Sequence, residues 1–189
     1  MRLIILSFFT FFSTQIFAQA DFEKKLQTKL ILAEDGDVIH IEAGTFALTK
    51  SLSLEGKKNI TIRGKGIDKT VLNFKTQTQG AEGIRITNCE NIILEDFTAE
   101  DSKGDLIKTM HVKGITFRRL KTAWTGKPSP TNGSYGLYPV LCEKVLIDSC
   151  IAIGASDAGI YVGQSKYITV RNCTAFQNVA GIEIENSLY

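Results

Sequence analysis

The pentapeptide Ala158-Gly159-Ile160-Tyr161-Val162 returns as Ala180-Gly181-Ile182-Glu183-Ile184, 22 residues later. Self-similarity at that period marks a solenoid, in which each repeat buries its apolar face only against the next repeat. The register extends far upstream. The apolar residues opening one alternating segment per repeat are Leu52, Ile84, Ile107, Leu137, Ile160 and Ile182, at steps of 32, 23, 30, 23 and 22 residues. Eight residues after each of the first five stands a second opener: Ile60, Ile92, Ile115, Val145 and Ile168. An offset kept five times is not a product of chance alternation. Most openers are followed two residues later by another apolar residue (Leu54, Ile86, Ile62, Leu94, Phe117, Ile147, Val170), with Thr109 and Pro139 as departures. Period-two alternation turns these side chains inward and the intervening ones outward.

Short strands, a repeat of about 22 residues and no helical spacing inside it predict an all-β, single-domain parallel β-helix, one coil per repeat. A leucine-rich repeat has a similar period, but its L-x-x-L-x-L-x-x-N pattern is absent. Two long steps mark insertions, Lys65–Ala81 and Thr125–Ser134, whose Gly, Pro, Thr, Ser and Asn predict surface loops.

The ends of the chain read differently. Arg2, the apolar run Leu3–Phe12 and the small-x-small triplet Ala18-Gln19-Ala20 predict a secretory signal peptide over residues 1–20, too short to span a membrane. The expected location is therefore periplasmic, extracellular or cell-surface. Residues 21–36 hold a capping helix: apolar positions 22, 26, 30 and 33 are helically spaced, and Asp35-Gly36 stops it. The β-helix occupies 37–189. Tyr189 follows directly on the strand 181–185, with no segment to cover the last coil. An open coil end invites edge-to-edge pairing, so we expect a covering partner, self-association, or a C-terminally incomplete β-helix within a longer product. The net charge of +2 falls by one when Arg2 leaves with the leader, which gives no electrostatic reason to expect nucleic acid or anionic membrane.

The register also places the cysteines. Cys150 and Cys173 follow their second openers by five residues on adjacent coils, so they stack about 4.8 Å apart. We read them first as small residues of an interior stack; a Cys150–Cys173 disulfide is compatible with that spacing. No Cys/His spacing suggests a metal site. The outward second-strand residues Arg63, Glu95, Arg118, Asp148 and Arg171 alternate in sign, as expected of pairs that favour register.

These repeats resemble the right-handed parallel β-helix repeats of the pectin-lyase-like superfamily. The helix followed by Asp35-Gly36-Asp37-Val38-Ile39-His40-Ile41 resembles the first coil of those proteins, and residues 154–187 resemble exported bacterial β-helix repeat proteins. The resemblance implies a right-handed coil and acidic polysaccharide as partner, bound along an outer strand face and modified by lyase- or epimerase-type proton abstraction. The residues make no cofactor evident, and Ca²⁺ enters through the resemblance alone. The residues carry none of the superfamily's familiar machinery: no adjacent Asp pair, Gly-His-Gly, stacked acidic cluster or Asp-Pro-His.

The register itself offers an outward ladder one residue after each first opener: Ser53, Arg85, Lys108, Tyr138, Tyr161 and Glu183. Tyrosine faces suit sugars, and Arg85 and Lys108 suit carboxylates, so Arg85, Lys108, Tyr138, Tyr161 and Glu183 are the expected substrate-binding residues. Gly83, Gly136, Gly159 and Gly181 are expected to keep the surface beside them low. Lys108 and Asp157 are the candidates for acid–base work, and His111 is expected in a hydrogen-bonded polar ladder with Asn88, Gln164 and Asn186. The alternative is a noncatalytic structural or protein-interaction scaffold.

Overall fold

The computed structural model describes residues 21–188, so the leader read in residues 1–20 lies outside the described residues. Helix α1 covers residues 21–32 and ends before a turn at Gly36, whose φ is +91°. Strands β1 (Val38–His40), β2 (Gly44–Ala47) and β3 (Lys50–Glu55) make the first coil. The second holds β4 (Thr61–Arg63), β5 (Thr70–Asn73) and β6 (Gln79–Thr87). In the third and fourth, one long strand, β7 (Glu90–Glu100) or β9 (Lys113–Ala123), runs through two faces before β8 (Ile107–Met110) or β10 (Leu137–Val140). The fifth comprises β11 (Glu143–Asp148), β12 (Ile151–Ile153) and β13 (Ala158–Gly163), the sixth β14 (Lys166–Arg171), β15 (Thr174–Phe176) and β16 (Ala180–Glu185).

Every pairing between strands is parallel, and β3, β6, β8, β10, β13 and β16 form a six-stranded sheet. The register read from the sequence is the observed one. Leu52 pairs with Ile84, Ile84 with Ile107, Ile107 with Leu137, Leu137 with Ile160, and Ile160 with Ile182. The second openers align likewise: Ile92 with Ile115, Ile115 with Val145, Val145 with Ile168. All but Ile168 and Ile182 of the last coil are buried in the interior, where burying each large aliphatic side chain stabilises the fold by about 1.5–3 kcal/mol.

A third face was not anticipated. Phe46, Leu72, Ala99, Thr122, Ala152 and Ala175 stand in register on β2, β5, β7, β9, β12 and β15. This corrects the reading of Lys65–Ala81 as a surface loop: it contains β5 and buries Thr70, Leu72, Phe74 and Gln77. The second insertion, Thr125–Ser134, is a loop without strand structure. At the bend between second and third faces, Asp96, Arg119, Ser149 and Asn172 take φ between +49° and +62°. His111, Asn88, Leu141, Gln164 and Asn186 share another left-handed corner, with φ from +48° to +56°. Backbone conformation, rather than the expected side-chain ladder, is what unites His111 with its neighbours; short polar residues tolerate it best.

Helix α1 closes one end of the solenoid, with its Leu26 and Leu30, and Ala33 just after it, in the core. Its polar side chains also occupy the edge of β3. Gln27 accepts from Ser53 N–H at 2.9 Å and donates to Ser53 C=O at 3.0 Å, and Glu23 accepts from Thr49 N–H at 2.7 Å. A side-chain amide thus stands in for a missing strand and blocks edge pairing. At the other end, Phe176, Ile182 and Ile184 are 46 %, 44 % and 52 % exposed.

Outside the second face, Glu95 accepts from Arg63 and, at 2.5 Å, from Arg118, while Arg119 lies at 3.3 Å and also pairs with Asp96 at 2.6 Å. Arg171 reaches Asp148 at 2.8 Å. The alternating charges do pair across rungs, as the sequence suggested.

Candidate functional site

The outward ladder of the six-stranded sheet is assembled as the alternation requires. Ser53 pairs with Arg85, Arg85 with Lys108, Lys108 with Tyr138, and Tyr161 with Glu183. Between β10 and β13 the register runs from Leu137↔Ile160 to Val140↔Gly163 with a gap over Tyr138 and Pro139, the latter having no N–H to donate. The second insertion delivers a further ring that the sequence reading did not include. Tyr135 stacks on Tyr161 with centroids 4.5 Å apart and lies 4.7 Å from Tyr138, and Tyr138 meets Tyr161 edge-on at 5.3 Å. The three tyrosines therefore form one half-buried aromatic plateau.

Carboxylates surround this plateau. The Tyr161 hydroxyl donates to Glu185 at 2.8 Å, and this bond, with burial, pushes the phenol up to about 12. Burial and the neighbouring Asp157 carboxylate push Tyr135 up, and burial together with Asp105 does the same to Tyr138. Asp157, a sequence candidate for acid–base work, thus faces a phenol and its backbone also holds the coil corner, accepting from Ala180 N–H at 2.8 Å. Lys108 sits 3.8 Å from both Glu82 and Asp105, with its ammonium 4.8 Å from the centroid of Tyr138. Burial raises the Asp105 carboxyl, opposed by Lys108 and by the Tyr135 N–H that it accepts at 3.1 Å.

One expectation changes. The glycines do not lower the outer surface: Gly83, Gly136 and Gly159 are buried. A Cβ at Gly136 would lie 2.5 Å from Gly159 O, and one at Gly83 would lie 2.8 Å from Leu106 O, so they permit close approach of backbone within the coil. Lys108 is held by two carboxylates, and Arg85 and Lys108 stand against Glu82, Asp105, Asp157, Glu183 and Glu185. Asp105 and Tyr135 come from coil corners, and Glu82 from the part of β6 that precedes the counted opener Ile84, which is why the ladder count did not find them.

Grooves of about 680 and 690 Å³ flank α1, the first lined by Gln27, Thr49, Ser51 and Ser53 at the near end of the ladder. Among the described residues, no three His, Cys, Asp or Glu side chains converge as a metal site, and no helix is long and apolar enough to cross a membrane.

A family model described as a right handed beta helix region matches residues 48–188. The chain belongs to that right-handed β-helix family. Among curated proteins it is similar to the pre-neck appendage protein of Bacillus phage B103, 27% identical over 185 residues, covering 80% of this chain and 21% of the relative. The preneck appendage proteins of Bacillus phages PZA and phi29 are each 23% identical over 187 residues, covering 81% of this chain and 22% of theirs. The chain thus spans about a fifth of the length of the relatives it matches. No solved structure matches the chain with significance.

Proposed function

We propose that the chain is a structural β-helix module that presents its outer tyrosine ladder as a noncatalytic glycan-contact strip. The observation carrying this reading is the plateau of Tyr135, Tyr138 and Tyr161, whose phenols are ringed by carboxylates on a rigid sheet. Aromatic faces with adjacent hydrogen-bonding groups are the chemistry that stacks and orients sugar rings. The charge inventory favours neutral or amino-sugar glycans over the polyuronates that the superfamily resemblance suggests. Proton abstraction of the lyase or epimerase type finds little support, because all three phenols are shifted upward and Lys108 is bound to two carboxylates. Export through the leader in residues 1–20 would bring the strip to envelope or extracellular glycans.

The test is binding of the folded protein to neutral, amino-sugar and uronate polysaccharides, with a Tyr138→Ala/Tyr161→Ala control whose folding is checked by circular dichroism. Binding of neutral or amino-sugar chains that falls at least tenfold in the double variant supports the strip. Absence of binding to any glycan sinks it. A second reading, assembly without glycan, draws on the exposed Phe176, Ile182 and Ile184 of the sixth coil and on the relatives' description as appendage proteins. Sedimentation that shows association of the wild type, lost in Ile182→Asp, supports that reading.

A further inference from the structure

The sixth coil is the least buried part of the solenoid, and one pair of side chains is placed to hold it. Ile151 pairs with Thr174, so Cys150 and Cys173 are direct neighbours on adjacent rungs, and Thr174 N–H donates to Cys150 C=O at 2.9 Å. Neighbouring parallel strands lie about 4.8 Å apart, inside the Cα separation that a disulfide spans. Cys150 is fully buried, and Cys173 is partly open to solvent. All four cysteines are free thiols in the structure, Cys89 and Cys142 being buried on another corner.

We propose that Cys150 and Cys173 close a disulfide that staples the sixth coil to the fifth, with Cys173 as the attacking thiol and Cys150 as the resolving one. The asymmetry follows from the surroundings. Cys173 is the thiol that solvent reaches, and the contact with Cys150 lowers it, against burial and the charge of Asp148, which is itself paired with Arg171. The same contact and burial push Cys150 up, so it stays protonated until its partner has reacted. The oxidant is a small-molecule disulfide. The Cys173 thiolate attacks one sulfur of it, forming a mixed disulfide and expelling a thiolate. Cys150 passes its proton to that leaving group, and its sulfur then displaces the second thiol. Two electrons move from the protein to the oxidant; the first released sulfur leaves as a thiol with the Cys150 proton, and the second leaves as a thiolate that takes up from water the proton Cys173 had given to it. The ring closed is one whole coil, residues 150–173, so the crosslink restrains the segment with the fewest neighbours.

The test uses the whole protein incubated with oxidised glutathione at neutral pH, then alkylated and digested. The expected result is a fall from four free thiols to two, a Cys150–Cys173 linked peptide, a monomeric band without reductant, and slowed amide exchange in β14–β16. Cys150→Ser is expected to stop at a glutathione adduct on Cys173, and Cys173→Ser to leave Cys150 unreacted. Persistence of four thiols, a stable adduct on Cys173 beside a free Cys150 in the wild type, or a link between chains would each overturn the proposal.

Discussion

Glu95 lies on an outer face, yet its side chain is only 2 % exposed because Arg63, Arg118 and Arg119 cover it. Glu95→Gln removes the charge while keeping the shape, and it turns an amide N–H₂ toward guanidinium donors. Breaking a buried ion pair costs about 3–5 kcal/mol. Here the arginines are 39–47 % exposed, so they rehydrate and are screened, and Arg119 keeps Asp96. The lower figure for a charge-assisted hydrogen bond applies, and the expected loss is about 2 kcal/mol at neutral pH. Burial raises the Glu95 carboxyl, but the hydrogen bonds from Arg118 and Arg63 outweigh it and hold the group below its ordinary value of 4.5. A depressed folded pKa stabilises above the unfolded pKa, and that contribution disappears as pH falls through the folded one. Asp96 and Asp148 titrate in both proteins and cancel. Urea unfolding followed by circular dichroism should therefore show a deficit at neutral pH that shrinks below about pH 4. Equal stabilities at neutral pH, or a deficit that acid leaves unchanged, would refute the reasoning.

Gly136→Ala places a Cβ 2.5 Å from both Gly159 O and Thr122 Oγ1, so a loss of about 1–3 kcal/mol is expected in the same unfolding experiment. Trp124→Phe keeps a buried ring but removes the donor to Ser102 C=O at 2.9 Å, and its melting temperature should fall by the equivalent of about 1–2 kcal/mol. Leu141 holds φ +53° at a corner where the other coils use Gly, Asn, His or Gln, and it is 43 % exposed. Leu141→Asn should therefore raise stability, by about 0.5–1 kcal/mol, read as an upward shift of the denaturation midpoint.

The six-stranded sheet was legible because its inward positions are large and apolar and recur at a fixed offset, so that Leu52 through Ile182 announce their own register. The third face was hidden for a physical reason. Its inward residues from the third coil onward are Ala99, Thr122, Ala152 and Ala175, too small or polar to stand out, and β7 and β9 pass from face to face without a Gly or Pro turn. The ladder of the candidate site followed from parity alone. What surrounds it did not, since Asp105 and Tyr135 reach it from corners and Glu82 from β6 ahead of its opener, and nothing in the spacing shows that Lys108 is already paired.

The glycan and assembly readings make different demands on the same solenoid. A ladder residue is fixed by hydrogen bonds to rungs on either side, at a spacing of about 4.8 Å, so little side-chain ordering remains to oppose a sugar laid along it. That advantage holds only while the coils beneath Tyr138 and Tyr161 stay paired. Tyr161 lies on β13, whose outer neighbour is the half-exposed β16, and its hydroxyl is anchored to Glu185 on that strand. Whatever orders the sixth coil, a crosslink to Cys150 or a covering partner, also fixes the far edge of the plateau. Glycan affinity and protection of β16 should therefore rise together if the strip is the functional surface, and vary independently if the chain serves only in assembly.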